Sequence, residues 1–156
     1  MRAQIGEQCV IKASDQFWEQ MLAMKLEPLP SPREFQVGGG YLIGSVNLSG
    51  VWTGRIEVRL AGPLAREATA AMMMQPPDTV AEADTVDATK EIANIIAGVI
   101  KSCLPRPCNM TVPEASVESH EFAKVSAGED ADSIEVVFRH DAGELLVRVW
   151  EQECQQ

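Results

Sequence analysis

The stretch from Asp87 to Lys101, DATKEIANIIAGVIK, has the apolar spacing of an amphipathic helix but carries an asparagine and a glycine in its interior. At 100° per residue, its large apolar side chains fall on one broad face, which we expect to be the core side. The residues expected on that face are Ile92, Ile95, Ile96, Val99 and Cys103. The opposite face, called the polar stripe below, holds Asp87, Glu91, Asn94, Gly98 and Lys101.

Two residues of the polar stripe are poor choices for a helix that only meets water. Gly98 costs about 1 kcal/mol relative to alanine in a helix interior, and Asn94 costs somewhat over half of that. A glycine on an exposed face also lets another backbone come close. We therefore interpret the polar stripe as a docking face centred on Glu91 and Asn94. The alternative is a solvated polar face that contains two imperfect helix residues.

The rest of the chain is predicted to alternate between helices and β-strands. Apolar periodicity predicts helices at about 4–25, 62–75 and 79–103, each of which is followed by prolines that cannot continue it. Alternating β-branched and aromatic residues predict strands at 41–50, 51–60, about 114–123, 133–140 and 143–150. Turns are expected at Ser49-Gly50 and at Asp141-Ala142-Gly143.

The two halves of the sequence resemble each other weakly. Each half is a helix, a proline-broken connection and a hairpin, and RIEVRL at 55–60 is similar to SIEVVF at 133–138. The spacing of Asp15 and Glu19 matches that of Asp87 and Glu91, but Leu22 stands where the second half has its asparagine. We expect one domain over residues 1–156, with a weak internal duplication of about 1–75 and 76–152 and one site at most.

Composition narrows the classes of partner. The 156 residues carry 13 basic and 23 acidic side chains, a net charge of −10, which disfavours nucleic acid and anionic membrane surfaces. The first residues, MRAQIGEQCVIKASDQ, lack the apolar run of a signal peptide, and no apolar stretch is long enough to span a membrane, so a cytoplasmic protein is expected.

The cysteines and histidines predict no metal site of the chain's own. The four cysteines form no C-x-x-C pair, so we expect free thiols in a reducing compartment, with a disulfide between Cys103 and Cys108 as the open alternative. His120 and His140 lie in or beside strands, and neither has a second ligand at a metal-binding spacing.

The quoted motif and the first hairpin both resemble one known family. Asp87-x3-Glu91-x2-Asn94, continued as IIAG-x2-K-S, resembles the signature of the CheC/CheX/FliY family of chemotaxis phosphatases, in particular its single-site CheX branch. LIGSVNLSG-x3-GRIEVRLA at 42–61 is similar to the hairpin of that family, and the order of elements fits over nearly the whole chain. The family pattern has a proline a little over twenty residues after the asparagine, whereas the nearest candidate here, Pro113, comes early.

The resemblance implies a fold, a substrate and residue roles. The implied fold is α/β of the α+β type, with a pseudo-twofold arrangement of long helices on one face of a mainly antiparallel sheet. The implied substrate is the aspartyl phosphate of a CheY-like receiver, which supplies its own Mg²⁺. Asn94 would position the attacking water and Glu91 would pair with the receiver lysine. Asp87, Gly98, Lys101 and Pro113 would contact the partner.

The resemblance also implies an oligomeric state and leaves other functions open. A homodimer is expected because CheX-type members dimerise. The alternative function is a non-catalytic receiver-binding or adaptor module of a chemotaxis or two-component pathway. A purely structural domain would not need both Glu91 and Asn94.

Overall fold

The computed structural model describes residues 5–30, 34–35, 39–118 and 133–152. In chain order, the elements are α1 (Glu7–Asp15), a π-helical segment (Gln16–Met21), β1 (Glu27–Pro28), β2 (Tyr41–Gly50), β3 (Gly54–Ala61), α2 (Gly62–Met73), a short 3-10 turn (Pro77–Thr79), α3 (Glu82–Lys101), β4 (Cys108–Met110), β5 (Glu114–Glu118), β6 (Ser133–His140) and β7 (Gly143–Glu151). The predicted strand beyond residue 118, with His120, lies outside the described residues.

The strands form one sheet with the order β1-β6-β7-β3-β2-β4, and β5 pairs with β2 beyond β4 on the same edge. All of the strand pairs in this sheet are antiparallel. The three α-helices pack on one face of it, where the sheet and helices share a core built around Trp18, Trp52, Ile92, Ile96 and Phe138. The predicted α+β fold, with helices on one face of an antiparallel sheet, is confirmed.

The order of the strands is symmetric about the central β7–β3 pair. On one side β1 pairs with β6, and on the other side β4 and β5 pair with β2, so each short strand joins the hairpin of the other half. In this arrangement β2 corresponds to β6, and β3 corresponds to β7. The similar segments RIEVRL and SIEVVF lie in β3 and β6, which are not equivalent strands. The internal duplication therefore stays a prediction, without support from that pair of segments.

The first hairpin differs from its prediction at the turn. Strand β2 continues through Ser49 and Gly50, and the connection to β3 is made by residues 51–53 instead. The reason is a change of partner: Ser49 and Gly50 pair with β4, and the Val51 N–H donates to the carbonyl oxygen of Pro107 at 3.0 Å. Gly50 has φ +142°, and a Cβ there would lie 2.3 Å from that same oxygen, so the position requires glycine.

The first helix is shorter and less regular than its apolar spacing predicted. It becomes π-helical at Gln16 and ends at Met21. Within this π-helical segment, Phe17 and Trp18 are fully buried and form an edge-to-face contact. Leu22 follows the helix end and packs against the core. The other two helices were predicted within a few residues of their ends, at Gly62–Met73 and Glu82–Lys101.

Candidate functional site

The start of α3 is fixed by hydrogen bonds within the chain. The backbone N–H of Ala81 donates to Oδ2 of Asp84 at 3.2 Å, and the N–H of Asp84 donates back to the carbonyl oxygen of Ala81 at 3.0 Å. Glu82 and Asp84 lie in the first turn and Lys101 in the last, which matches the charges that the helix dipole favours at each end. These hydrogen bonds and charges therefore stabilise the first turn of the helix that carries the polar stripe.

A close contact with β2 sets the height of α3 above the sheet. A Cβ added at Gly44 would lie 2.8 Å from the carbonyl oxygen of Thr89 and 3.1 Å from Cβ of Ala93, so only glycine allows this approach. The buried hydroxyl of Thr89 donates to the carbonyl oxygen of Thr85 at 2.7 Å and needs no partner on the sheet. Strand β2 thus acts as the base on which α3 rests.

The polar stripe points away from that base. Asp87, Glu91 and Gly98 are exposed, and Asn94 and Lys101 are half-buried. Within the described part of the chain, neither Glu91 nor Asn94 has a hydrogen-bond or ion-pair partner. A Cβ added at Gly98 would meet nothing within 4 Å. The structure brings these five residues together on one helix face, as the spacing predicted.

The core side of α3 is rotated from its predicted position. Ile92, Ile96 and Ile100 are fully buried, whereas Ile95 and Val99 are only partly buried. Small residues provide much of the remaining core contact, because Ala93 and Ala97 are also fully buried. The prediction placed Cys103 on this face, but the helix ends at Lys101 and Cys103 is exposed in the following turn.

The cysteines near α3 are free thiols. Cys103 and Cys108, for which a disulfide was the open alternative, are not bonded to each other. Burial raises the pKa of Cys108, and the nearby Lys101 ammonium lowers it, which places the end of the polar stripe close to β4. Burial raises the pKa of Cys9 to about 12, and a hydrogen bond with Cys103 contributes in the same direction, so α1 meets the end of α3 here.

Pro113 lies on the strand edge beside α3, in the edge segment, residues 108–118, that holds β4 and β5. Between the pairs Leu48–Met110 and Ser45–Glu114, two residues of β2 stand opposite three of the edge segment, which is a β-bulge. The bulge is held by Thr111, whose N–H donates to the carbonyl oxygen of Asn47 at 2.9 Å and whose Oγ1 accepts from the Asn47 N–H at 3.0 Å.

Sequence reasoning missed both the bulge and the valine at its tip. Val112 is 83% exposed, between Thr111 and the half-buried Pro113. The only local signal was the proline, which is confined to edges and bulges in sheets. The bulge itself follows from the pairing register with β2, which no short stretch of sequence reveals.

A cavity of about 860 Å³ lies at the other end of α3, away from the centre of the polar stripe. Its lining includes Tyr41, Arg66, Glu82, Thr85 and His140. His140 accepts a hydrogen bond at Nδ1 from the N–H of Ala142 at 3.0 Å, which orients its ring within the β6–β7 turn. Among the residues that the structure describes, no three His, Cys, Asp or Glu side chains cluster as a metal would require.

Several solved structures of other proteins have the same fold as this chain. The chemotaxis protein CheX from Vibrio vulnificus superposes with a TM-score of 0.75 at 17% identity, covering 97% of this chain and 99% of that chain. CheX from Borrelia burgdorferi, solved as a CheX–CheY–BeF3–Mg²⁺ complex, superposes with a TM-score of 0.68 at 18% identity, covering 94% and 97%. FliY from Thermotoga maritima superposes with a TM-score of 0.60 at 13% identity, covering 91% and 84%.

The sequence itself matches one family model. The model for the chemotaxis phosphatase CheX matches residues 42–138, which is more than half of the chain and includes both the first hairpin and the polar stripe. The chain therefore belongs to the CheX family. No curated protein sequence matches it. Within the described residues, none of the helices combines the length and apolarity that crossing a membrane requires.

Proposed function

We propose that the chain is a phosphatase that dephosphorylates the aspartyl phosphate of a CheY-like receiver. The observation that carries this proposal is the polar stripe: one anchored helix presents Glu91 and Asn94 outward, and neither has a partner among the described residues. Membership of the CheX family and the existence of a CheX–CheY complex from Borrelia burgdorferi support a receiver as the substrate.

The reaction is hydrolysis of an acyl phosphate. A water oxygen bonds to phosphorus, the bond between phosphorus and the aspartate oxygen breaks, and the carboxylate leaves with the bonding electrons while the proton of the water passes to an oxygen of the released phosphate. An acyl phosphate is already activated, so catalysis needs mainly a water held in line with the leaving oxygen.

Asn94 is the proposed water-positioning residue. Its side-chain amide accepts and donates hydrogen bonds without titrating near neutral pH, so it holds a water in one orientation across that range. Its place in the middle of a 20-residue helix limits its motion relative to the bound receiver. In this mechanism, the chain supplies orientation and no general base.

The remaining residues of the stripe hold the receiver in register. Glu91 pairs with the lysine of the receiver active site, and an i, i+3 pair on one helix presents both groups together. Asp87 and Lys101 contact the receiver at the two ends of the stripe, and Gly98 leaves room for its backbone. Mg²⁺ is held by the receiver, as the Borrelia burgdorferi complex suggests, and this chain contributes no cofactor of its own.

The adaptor alternative has one specific observation in its favour. Pro113 comes earlier than the proline of the family pattern and lies in a bulge of the edge segment. A shortened connection at the border of the site allows a receiver to bind without reaching the geometry that hydrolysis needs. Binding with no acceleration of phosphate release is the result that would identify an adaptor.

We also propose that the chain works as a cytoplasmic homodimer. Both statements rest on the family, since receiver phosphorylation is a cytoplasmic reaction and CheX-type members dimerise. Light scattering on the purified protein should give about 34 kDa, twice the 17.0 kDa of one chain. A mass of one chain at micromolar concentration would contradict the dimer.

The test of the proposed function is phosphate release from each phosphorylated receiver of the source organism, with and without this protein. Asn94→Ala should lower the stimulated rate by about 10²-fold or more, as expected when a positioned transition-state group is lost. Glu91→Ala should weaken both binding and turnover. Asn109→Ala, an exposed asparagine on β4, is the matched control and should change neither. Full activity in Asn94→Ala would show that the assigned mechanism is wrong.

A further inference from the structure

The edge segment runs beside α3, and its position can be read from the sheet register. Helix α3 runs in the same direction as β2, because its first turn lines a cavity with Tyr41 at the start of β2. The chain after α3 returns at Cys108, which pairs with Gly50 at the end of β2. Gly44 lies under Thr89 and Ala93, and therefore level with Glu91.

The bulge is level with the second half of the polar stripe. It stands opposite Asn47 and its neighbour, two to three residues beyond Gly44, which is about 7–10 Å along the strand at 3.3 Å per residue. At 1.5 Å per residue, the same distance along α3 is about four to seven residues beyond Glu91, which reaches Ile95 to Gly98. The exposed Val112 is therefore level with the C-terminal half of the stripe.

A second exposed valine stands beside the other half. Val117 pairs with Leu42, a core residue on the helix side of the sheet, so its side chain lies on the same face as α3. Leu42 precedes Gly44 by two residues, so Val117 is level with about Asp87 by the same arithmetic. Val117 is 41% exposed, α3 contacts β5 directly, and the valine also lines the cavity at the N-terminal end of α3.

The edge segment is shaped for contact through side chains and not for strand pairing. A bulge and a proline both prevent a further strand from adding to an edge. A second copy related by a twofold axis parallel to α3 would also bring two sets of Asp87 and Glu91 together, and like charges repel. A partner that presents a cation to the stripe and an apolar surface to the two valines fits better.

Resting on the proposed function, we infer that Val112 and Val117 form an apolar border that contacts the receiver beside its phosphorylation pocket. The polar stripe contacts the phosphoryl group and the lysine, which are common to receivers. The border contacts the receiver surface around the phosphorylation pocket, and this surface differs between receivers. Val112 and Val117 thus determine which receiver is accepted, and they act on binding and not on the chemical step.

The experiment measures phosphate release at increasing concentrations of a receiver phosphorylated with phosphoramidate, in Mg²⁺. Val112→Asp should raise KM by about ten- to a hundredfold, the range that loss of a buried valine contact produces. The kcat at saturation should stay within about twofold. Val117→Asp should raise KM in the same direction. Met74→Asp, a 92% exposed methionine at the end of α2, is the matched control and should leave KM unchanged.

Binding of the same receiver with beryllofluoride, measured by titration, separates this inference from the proposed function. If the protein does not accelerate phosphate release, the proposed function fails, and the dissociation constants of the two valine variants still decide whether the border is a contact. If Asn94→Ala is inactive but both valine variants keep the wild-type KM and Kd, the border is not an interface with the receiver. A lower mass of the valine variants in light scattering, with an unchanged Kd, would assign the border to a second copy and overturn the inference. Should Val112→Asp fail to fold, Val112→Ser replaces it, with the same expected direction.

Discussion

Substitution of Gly98 should change stability and receiver binding in opposite directions. In the free chain, a Cβ at this position meets nothing within 4 Å, and its neighbours on both sides are helical. Gly98→Ala therefore introduces no clash and reduces the conformational entropy of the unfolded chain. It should raise the free energy of unfolding by about 0.5–1 kcal/mol, or the melting temperature by about 1–4 °C in a domain of this size.

The same methyl group should weaken receiver binding if a receiver backbone approaches Gly98. Overpacking a close contact costs about 1–3 kcal/mol, which is about five- to 150-fold in the dissociation constant. Gly98→Leu adds more bulk and should abolish measurable binding, although the free helix remains stable. Chemical denaturation gives the stability, and titration with a beryllofluoride-activated receiver gives the affinity.

Ala71→Leu is the matched control, since Ala71 is an exposed small residue on α2, away from the stripe. It adds the same kind of bulk to a helix surface and should leave affinity unchanged. Wild-type affinity in Gly98→Leu would refute the reasoning, because the stripe would then not be the interface. A loss of stability in Gly98→Ala would show that the glycine is required by the free fold, and that its presence says nothing about a partner.

Three other properties should follow from the same geometry. The stimulated rate of phosphate release should be independent of pH from about 6.5 to 8.5 at saturating receiver and Mg²⁺, because the Asn94 amide does not titrate there. If the logarithm of the rate instead rises with pH with a slope near one around pH 7, and His140→Ala removes that rise, a general base has been missed. Gly44→Ala should lower the free energy of unfolding by about 1–3 kcal/mol in urea titrations, because its Cβ would lie 2.8 Å from a backbone oxygen of α3, and a neutral result would mean that α3 moves away freely. Iodoacetamide at pH 8 should label the exposed Cys103 well before Cys9, because burial raises the pKa of Cys9 to about 12. The labelling rate of native Cys9, followed by peptide mass mapping, should rise about tenfold per pH unit up to pH 10. Equal labelling rates of the two cysteines at pH 8 would contradict the burial of Cys9.

The parts of the fold that could be predicted depend on short-range patterns. Helix α3 and the strands of both hairpins were predicted because apolar periodicity is readable within ten to twenty residues. The turn after β2 was wrong because Ser49 and Gly50 pair with β4, some sixty residues later in the chain. The π-helical segment was missed for a similar reason, since burial of Phe17 and Trp18 is decided by the packing of α1 and not by local spacing.

In the candidate site too, the residues that follow from local spacing could be predicted, and those that depend on distant pairing could not. All five residues of the polar stripe belong to one helix, so their common face follows from 3.6 residues per turn and from nothing else. The border of the site needed the sheet register, because Val112 and Val117 reach α3 only through the pairing of the edge segment with β2. Gly44 is a third case, since its role as the base under α3 depends on a contact with Thr89, far away in the sequence.

The difference between the two halves has a physical explanation in the first helix. Asp15 and Glu19 have the spacing of Asp87 and Glu91, but the helix turns π-helical after Asp15, which changes the angle between successive side chains. Burial raises the pKa of Asp15, and the nearby Glu19 carboxylate raises it further. Leu22, in the position of Asn94, comes after the helix end and packs on the core. An asparagine at that position would lose an apolar contact without gaining a rigid helix face toward solvent. Restoring a second site would therefore need a regular helix through residue 22, and a single Leu22→Asn substitution should destabilise the chain without adding any phosphatase activity to Asn94→Ala.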